Sequence, residues 1–409
     1  FNKNFCRLCK SKNLDIIYKL APTPIGDDYL KSSKTKVNFY DLNLKNCKSC
    51  NFVQLSNVID PKKVYGDYIY VTKTSVGLPK HFQFLLELLI KKYKLNNNSK
   101  VLEIGCNDGT LLRLINKKAK FAIGVDPATT LKPKNLKIYK SMFNDNISHK
   151  LKNIYGEFDF IIANNVIANI DNLDNVFKNI KLILKKNGIF VMETFSLYGL
   201  LRNNLIDNIY HEHISYFSIK SFNDYLRKMQ LKIIFAEHLN VKGGSLRLFI
   251  SKIDSENRQK SFALIQKKEE KLFKNIVKKF KRIKDINKNN QIKINNFLKK
   301  ETKKKKLIIG YGASVGTTTL MYYYKLKNYI DSFCDDEKKR HYLYSPGTKL
   351  QILPPSQLSE IKPNYIIIFA WRYADQILKK NRKLFKKGIK FILPLPKFKI
   401  IKKCPKKYL

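Results

Sequence analysis

The chain has 409 residues, 44% of them hydrophobic and 12% aromatic, and a formal net charge of +48. That length exceeds one compact core and predicts two or three domains. No uninterrupted apolar run reaches the ~18 residues of a membrane helix, and the opening FNKNFCRLCK lacks the apolar core of a secretory signal, so a cytoplasmic, membrane-free chain is expected. Nucleic acid is not the expected partner either: 70 lysines against 10 arginines, scattered along the chain, are what AT-rich codons supply, whereas a phosphate-gripping surface favours arginine.

The first stretch is framed by Cys6-Arg7-Leu8-Cys9 and Cys47-Lys48-Ser49-Cys50, with turn formers and short apolar segments between. Each CxxC presents two sulfurs from one side, and two such turns complete a tetrahedron around Zn²⁺. An odd total of seven cysteines argues for metal ligation over a disulfide framework. Four thiolates leave no open coordination position, so Cys6, Cys9, Cys47 and Cys50 predict a structural zinc. A helix follows from about His81 to Lys94, with Phe82, Leu85, Leu86, Leu89 and Ile90 at helical spacing.

From Lys100 strands and helices alternate: KVLEIG, TLLRLINK, FAIGVDP, FDFIIANNVI, DNVFKNIKLILKK, GIFVMETF. The alternation predicts a parallel, doubly wound sheet. Glu103-Ile104-Gly105-Cys106-Asn107-Asp108-Gly109 closes its first strand, where glycines let the backbone turn tightly and approach a ligand. The three glycines of a dinucleotide fingerprint are missing. E-x-G-x-x-x-G instead resembles the first motif of the Rossmann-like S-adenosylmethionine (AdoMet) methyltransferases, and Glu103, Gly105, Asn107 and Gly109 become cofactor candidates. Asp126 closes the second strand, where a carboxylate can accept both ribose hydroxyls, and Asn164 and Asn165 close a later one. An NAD-type or merely structural turn is the alternative.

Next stands Tyr210-His211-Glu212-His213-Ile214-Ser215-Tyr216-Phe217, in a chain with six histidines in all. It reads as an acid–base site, a metal site or a solvated loop; the metal reading lacks the i, i+4 pair of a helical HExxH site. A helix-like SFNDYLRKMQ and the strand-like pair LKIIFAEHL and SLRLFISK follow, with Gly243, Gly244 and Ser245 leading the second strand. Residues 255–304 hold no Gly or Pro and carry Leu272, Ile276, Phe280 and Ile283 at helical spacing, which predicts one long connecting helix. A second α/β unit begins at Lys306. Its Gly310-Tyr311-Gly312-Ala313-Ser314-Val315-Gly316 turn could cradle a diphosphate at a helix N-terminus, while Asp335 or Asp336 would suit the ribose of NAD. Trp371 ends a strand, where it either stacks a base or packs.

Taken in order, the four-Cys lobe, EIGCNDG, IYHEHISYFS, KGGSLR and GYGASVG resemble the nucleotide-sugar 3-C-methyltransferases over essentially the whole chain. The resemblance implies a zinc-binding lobe (1–75), an AdoMet-binding methyltransferase domain (76–254), a helical connector (255–304) and a second Rossmann-like domain (305–409) that helps hold the nucleotide. The implied substrate is a nucleotide-linked 4-keto deoxysugar, methylated through an enolate by a monomeric enzyme. By resemblance Tyr210, Glu212 and His213 match active-site positions, with Glu212 and His213 as base or proton relay. Tyr70 matches a tyrosine from the zinc lobe, with Tyr68 beside it, and Gly243, Ser245, Gly312 and Ser314 line the substrate pocket. The family places a histidine shortly after the Asn-bearing strand, where this chain has Asn169, which cannot carry a proton at neutral pH. That departure keeps open a methyltransferase of a sugar hydroxyl or amine; a zinc-ribbon nucleic-acid-binding protein is the reading from another class.

Overall fold

The computed structural model describes residues 1–65, 71–75, 77–128, 133, 135–257 and 262–408. Strands β1 (Leu14–Lys19), β2 (Asn43–Cys47) and β3 (Val53–Leu55) make an antiparallel sheet whose fourth member, β9 (Ser215–Tyr216), arrives from mid-chain. The second sheet runs β10-β11-β8-β7-β4-β5-β6, from β4 (Lys100–Ile104), β5 (Phe121–Asp126), β6 (Lys137–Lys140), β7 (Phe158–Asn164), β8 (Leu184–Phe195), β10 (Leu231–Leu239) and β11 (Ser245–Lys252). β4 to β8 are mutually parallel, and β11 runs antiparallel to both neighbours. The third sheet runs β14-β13-β12-β15-β16-β17 and is parallel except for β17, built from β12 (Ile308–Tyr311), β13 (Ser332–Cys334), β14 (Ile352–Leu353), β15 (Tyr365–Ile368), β16 (Lys390–Leu393) and β17 (Lys399–Ile401). The fold is thus α/β, a Rossmann-like central sheet between a cysteine-bearing lobe and a second Rossmann-like unit.

β7 and β8 are buried on nearly every residue of their apolar runs because helices cover both faces of a parallel sheet. On one face the helix Leu78–Tyr93 turns Phe82, Leu85, Leu86 and Leu89 onto Val101, Phe160, Ile162 and Val191. On the other, Phe177 and Ile180 of the helix Leu173–Ile183 meet Phe222 of the helix Ile219–Lys228. A further apolar cluster belongs to no single sheet: Tyr18 and Leu44 from the lobe, Leu200 and Ile206 from the centre, Phe280 from the connector and Leu320 and Ile367 from the third unit pack as one. The three units share a core, which fixes the cleft between them.

The connector is two helices, Ala263–Phe273 and Ile276–Lys303, where the spacing predicts one. Two docking directions impose the break. Buried Glu269 of the first accepts the Ile219 amide at 2.7 Å, while Phe280, Ile294 and Leu298 of the second face β1 and the third unit. Asn287 sits fully buried in that second helix and joins the units: it donates to Asn204 at 2.7 Å and accepts the Tyr324 hydroxyl at 2.7 Å. Removing one member of a buried network strands the others. Asn287→Ala is therefore expected to cost roughly 2–4 kcal/mol, read as a lower urea midpoint; a loss below about 1 kcal/mol would contradict the network's role. Among the described residues no helix is long and apolar enough to cross a membrane.

Candidate active site

The two CxxC turns close on each other. Cys6 and Cys47 each accept the amide four residues on, at Lys10 and Asn51, both left-handed residues. All four Sγ atoms lie within 4.8 Å of one another, with Cys6–Cys50 at 3.6 Å and Cys9–Cys47 at 3.5 Å. A tetrahedron with Zn–S bonds of ~2.3 Å has edges of about 3.8 Å, so the four sulfurs fit a zinc ion with little adjustment. Between two of them, Arg7 is buried and donates to Asp171 at 3.0 Å and to the Leu55 carbonyl at 3.3 Å. Asp171 also receives Lys3 at 2.8 Å.

A cleft of about 870 Å³ opens where the three sheets meet. In the second sheet the strand order reverses between β4 and β7, the crevice where such sheets take ligands. Gly105 leaves β4 at φ +70°, and a Cβ there would come within 2.8 Å of the Val166 side chain, so only glycine lets this loop pass. Glu103 is 3% exposed, its Oε2 has no partner among the described residues, and burial together with Asp126 and Asp108 holds its carboxyl well above the usual range. Asp126 accepts the amides of Asn107 at 2.8 Å and Ala128 at 2.7 Å, which leaves a carboxylate's remaining lone pairs for ribose hydroxyls. Neither polar atom of the Asn164 side chain has a partner among the described residues, and Asn165, at φ +56°, lines the cleft beside it. These orphaned groups fit AdoMet, whose amine, ribose and adenine would satisfy them.

One cofactor candidate, Asn107, lines the cleft and is also tied to the cysteine-bearing lobe. The Asn107 side chain accepts both the amide and hydroxyl of Thr72, at 3.0 and 3.1 Å, and neighbouring Asp108 accepts the Lys73 amide at 3.0 Å. Gly109, at φ +71°, leads into the helix Thr110–Asn116.

Tyr210, Glu212 and His213 all line the cleft. His213 Nδ1 faces the Asn208 carbonyl at 3.1 Å, which assigns the proton to that nitrogen, and Nε2 then accepts the Tyr210 hydroxyl at 2.8 Å. Burial pushes His213 down to about 3, so the ring is neutral, stacked on Phe195 at 5.4 Å. Glu212 is the contrast. It is 5% exposed, neither side-chain oxygen has a partner among the described residues, and burial, then Asp27, pushes its carboxyl up to about 8 against the pull of its own amide. His211, which sequence reasoning leaves out of the chemistry, bonds Thr23 at 3.0 Å and ties the lobe to this segment. Tyr68 and Tyr70 lie outside the described residues. Among the described residues of the lobe, Tyr65 lines the cleft.

At the far end, Gly312 leaves β12 at φ +94° with no room for a Cβ, which would sit 2.8 Å from that of Ala370. Ser314 follows at the start of the helix Val315–Tyr323, whose N-terminus has no side-chain cap, and Gly312, Ser314, Val315 and Gly316 line the cleft. Asp335 is fully engaged: it accepts Ala313 and Glu337 amides at 2.6 and 2.8 Å and Arg340 at 3.1 Å. Asp336 takes the Tyr311 hydroxyl at 2.9 Å and Lys380. Neither geometry resembles an acidic residue waiting for the ribose of NAD. Ser245 lines the cleft while its hydroxyl donates to the Val241 carbonyl at 3.2 Å, and Gly243 holds its carbonyl to Asn203 at 2.7 Å. Trp371 packs by donating to Asp207 at 3.0 Å, beside Arg372 at 2.6 Å on the same oxygen. Asp27 meets Arg340 at 3.8 Å across the lobe boundary. Sequence reasoning missed Tyr65, Thr72, Asp27, Arg340 and Asp207, each of which acts through partners distant in the chain.

Three family models match in succession: "Putative zinc binding domain" over residues 6–65, "Methyltransferase domain" over 79–235 and "C-methyltransferase C-terminal domain" over 240–396. Among curated proteins the chain is similar to C-methyltransferase NovU of Streptomyces niveus, 24% identical over 413 residues that take in 97% of this chain and 96% of that one. Among solved structures it is similar to magnesium protoporphyrin IX methyltransferase of Synechocystis, at 13% identity and a TM-score of 0.34 over 47% of this chain and 92% of that one. It is likewise similar to the PH0226 protein of Pyrococcus horikoshii, at 18% identity and a TM-score of 0.35 over 48% of this chain and all of that one.

Proposed function

We propose, from the succession of a matched zinc-binding domain, a methyltransferase domain and a C-methyltransferase C-terminal domain, that the chain is an AdoMet-dependent C-methyltransferase and methylates the carbon beside the ketone of a nucleotide-linked 4-keto deoxysugar. One observation carries this reading: Glu212, a buried carboxylate with no hydrogen-bond partner on either side-chain oxygen among the described residues, faces the cleft. A carboxyl poised near neutrality and left unpaired is what removing a weakly acidic C–H requires. Glu103, Asp126 and Asn164 would hold AdoMet. Bound there, AdoMet would supply an electrophilic methyl for the acceptor carbon, with S-adenosylhomocysteine as the leaving group and the ketone restored.

The protein's own part is proton removal and placement. Glu212 takes the proton from the carbon alpha to the ketone, and the C–H electron pair passes into a C=C bond as the carbonyl oxygen becomes an enolate. Tyr210 and His213 form a neutral pair that shapes the wall beside Glu212. The uncapped helix at Ser314, with Arg340, Arg372 and Lys242 in the same cleft, suits the nucleotide diphosphate. Zinc would hold the lobe that supplies Thr72 and Tyr65.

The test is incubation with a panel of 4-keto deoxysugar nucleotides in deuterated water, read by mass spectrometry. A +14 product with AdoMet and alpha-deuterium uptake without it are expected. A +14 product with no uptake would move the acceptor to a hydroxyl or amine. Asp126→Ala should weaken AdoMet binding about 10- to 100-fold, as loss of a charge-assisted hydrogen bond worth ~1.5–3 kcal/mol implies. Isothermal titration reads this, and an unchanged affinity would remove the β5 loop from the cofactor site.

A further inference from the structure

We infer that Tyr65 is a catalytic residue of this chain: its phenol, oriented by Asn169, donates to the acceptor's carbonyl oxygen as the enolate forms. The inference rests on the C-methylation reading and names the donor that the reading needs. An enolate oxygen gathering negative charge in a closed cleft requires a hydrogen bond already aimed at it. Tyr210 cannot supply it, because its hydroxyl donates to His213. Tyr216 has a buried hydroxyl, but it is not among the residues that line the cleft. Asn169 lines it, on the loop after β7, with its backbone fixed by the Val166 carbonyl at 2.9 Å.

Tyr65 stands across from these groups at the end of the short helix Pro61–Tyr65, anchored where it packs beside Val64, Ile25 and Ile59. Asn169 and Glu212 line the same cleft as Tyr65, and both act on its phenol, the amide favouring charge on the oxygen and the carboxylate opposing it. An amide that donates to a phenol oxygen holds that oxygen in place and favours its O–H as donor to a third group. Burial raises the phenol's proton affinity, Glu212 adds to it, and the hydroxyl stays protonated at neutral pH. In the step itself Glu212 receives the alpha proton and Tyr65 keeps its own, contributing a hydrogen bond that shortens as charge reaches the oxygen. Asn169 is the positioning residue, holding the phenol where this chain has no histidine.

The experiment measures alpha-deuterium exchange into 4-keto deoxysugar nucleotides with AdoMet withheld, in wild type, Tyr65→Phe, Asn169→Ala and the double variant, with zinc content and AdoMet affinity as controls of fold. Loss of one oxyanion donor costs about 10²–10³ in rate. Tyr65→Phe should slow exchange and kcat by that order with KM and AdoMet affinity little changed. Asn169→Ala should slow both by less, and the double variant should be no slower than Tyr65→Phe, as expected of groups acting as a unit. Exchange within twofold of wild type in Tyr65→Phe overturns the inference and leaves the C-methylation reading standing. No exchange by wild type across the panel overturns both.

Discussion

Replacing Glu212 with glutamine is expected to lower methyl transfer and alpha-proton exchange about 10²–10⁴-fold, the span a positioned general base contributes, while AdoMet affinity stays within a few-fold of wild type. Glutamine keeps the shape and the burial and loses only basicity, so a loss of rate with the fold intact isolates the proton transfer. Because the carboxyl is pushed up to about 8, the wild-type rate should climb with pH through that value and then level. Stability should run the other way. A carboxyl that ionises near 4.5 when unfolded and about 8 when folded leaves the native state holding the extra proton between those values. Stability therefore falls as pH rises through that window. At ~1.4 kcal/mol per pKa unit the cost reaches at most roughly 5 kcal/mol above pH 8. Glu212→Gln should accordingly gain thermal stability over wild type at pH 8.5 and show no gain at pH 4. Full turnover by the variant would end the assignment of Glu212 as base.

Removing the metal should be as damaging, for a different reason. Structural zinc sites contribute on the order of 10–16 kcal/mol of apparent binding energy in zinc-finger peptides, more than most domains hold in total. Purified protein is expected to contain one zinc per chain, and Cys47→Ser less than half. The damage will not stay in the lobe. Arg7, between two ligands, carries the ion pair to Asp171, two residues beyond Asn169, and Thr72 and Lys73 hold Asn107 and Asp108. Losing the knot slackens both walls of the cleft, so methyl transfer should disappear and AdoMet binding weaken together. A zinc-free protein with normal turnover would contradict this coupling.

The central and third sheets are legible in the sequence because their strands are long apolar runs separated by helical periods. β6, β14 and β17 are not, since KIYK, IL and KII lie toward sheet edges with little apolar run. β9 is two residues long and pairs with a lobe more than 150 positions away, information no local window holds. The break in the connector is equally invisible: no Gly or Pro marks it, and Glu269 makes it by docking elsewhere. The site divides along the same line. Glycine turns, Asp126 and the YHEH segment are readable because each chemistry sits in a few adjacent residues. What those groups bond is not. The Asn107 amide reads as a cofactor contact, and nothing nearby in the chain shows that its oxygen also holds Thr72. Trp371 reads equally as a base-stacking ring or a packing one, and its indole is committed to Asp207. Tyr65 hides in an aromatic cluster, VYGDYIY, from which spacing alone cannot choose.

β9 has one more implication. Leaving Glu212 and His213, the chain does not return to its own sheet but pairs Ser215 with Gln54 and Tyr216 with Val53. The residues proposed to carry the chemistry run directly into a strand that pairs with the lobe's last one, so the boundary between the two units runs through a β-ladder and not through a linker. Such lobes cannot be traded between relatives as cassettes cut at a loop: a foreign lobe would have to re-form that ladder in register, and a slip of one residue would turn Tyr216 to the opposite face. A change of acceptor is therefore expected to need the lobe and the segment it grips to change together.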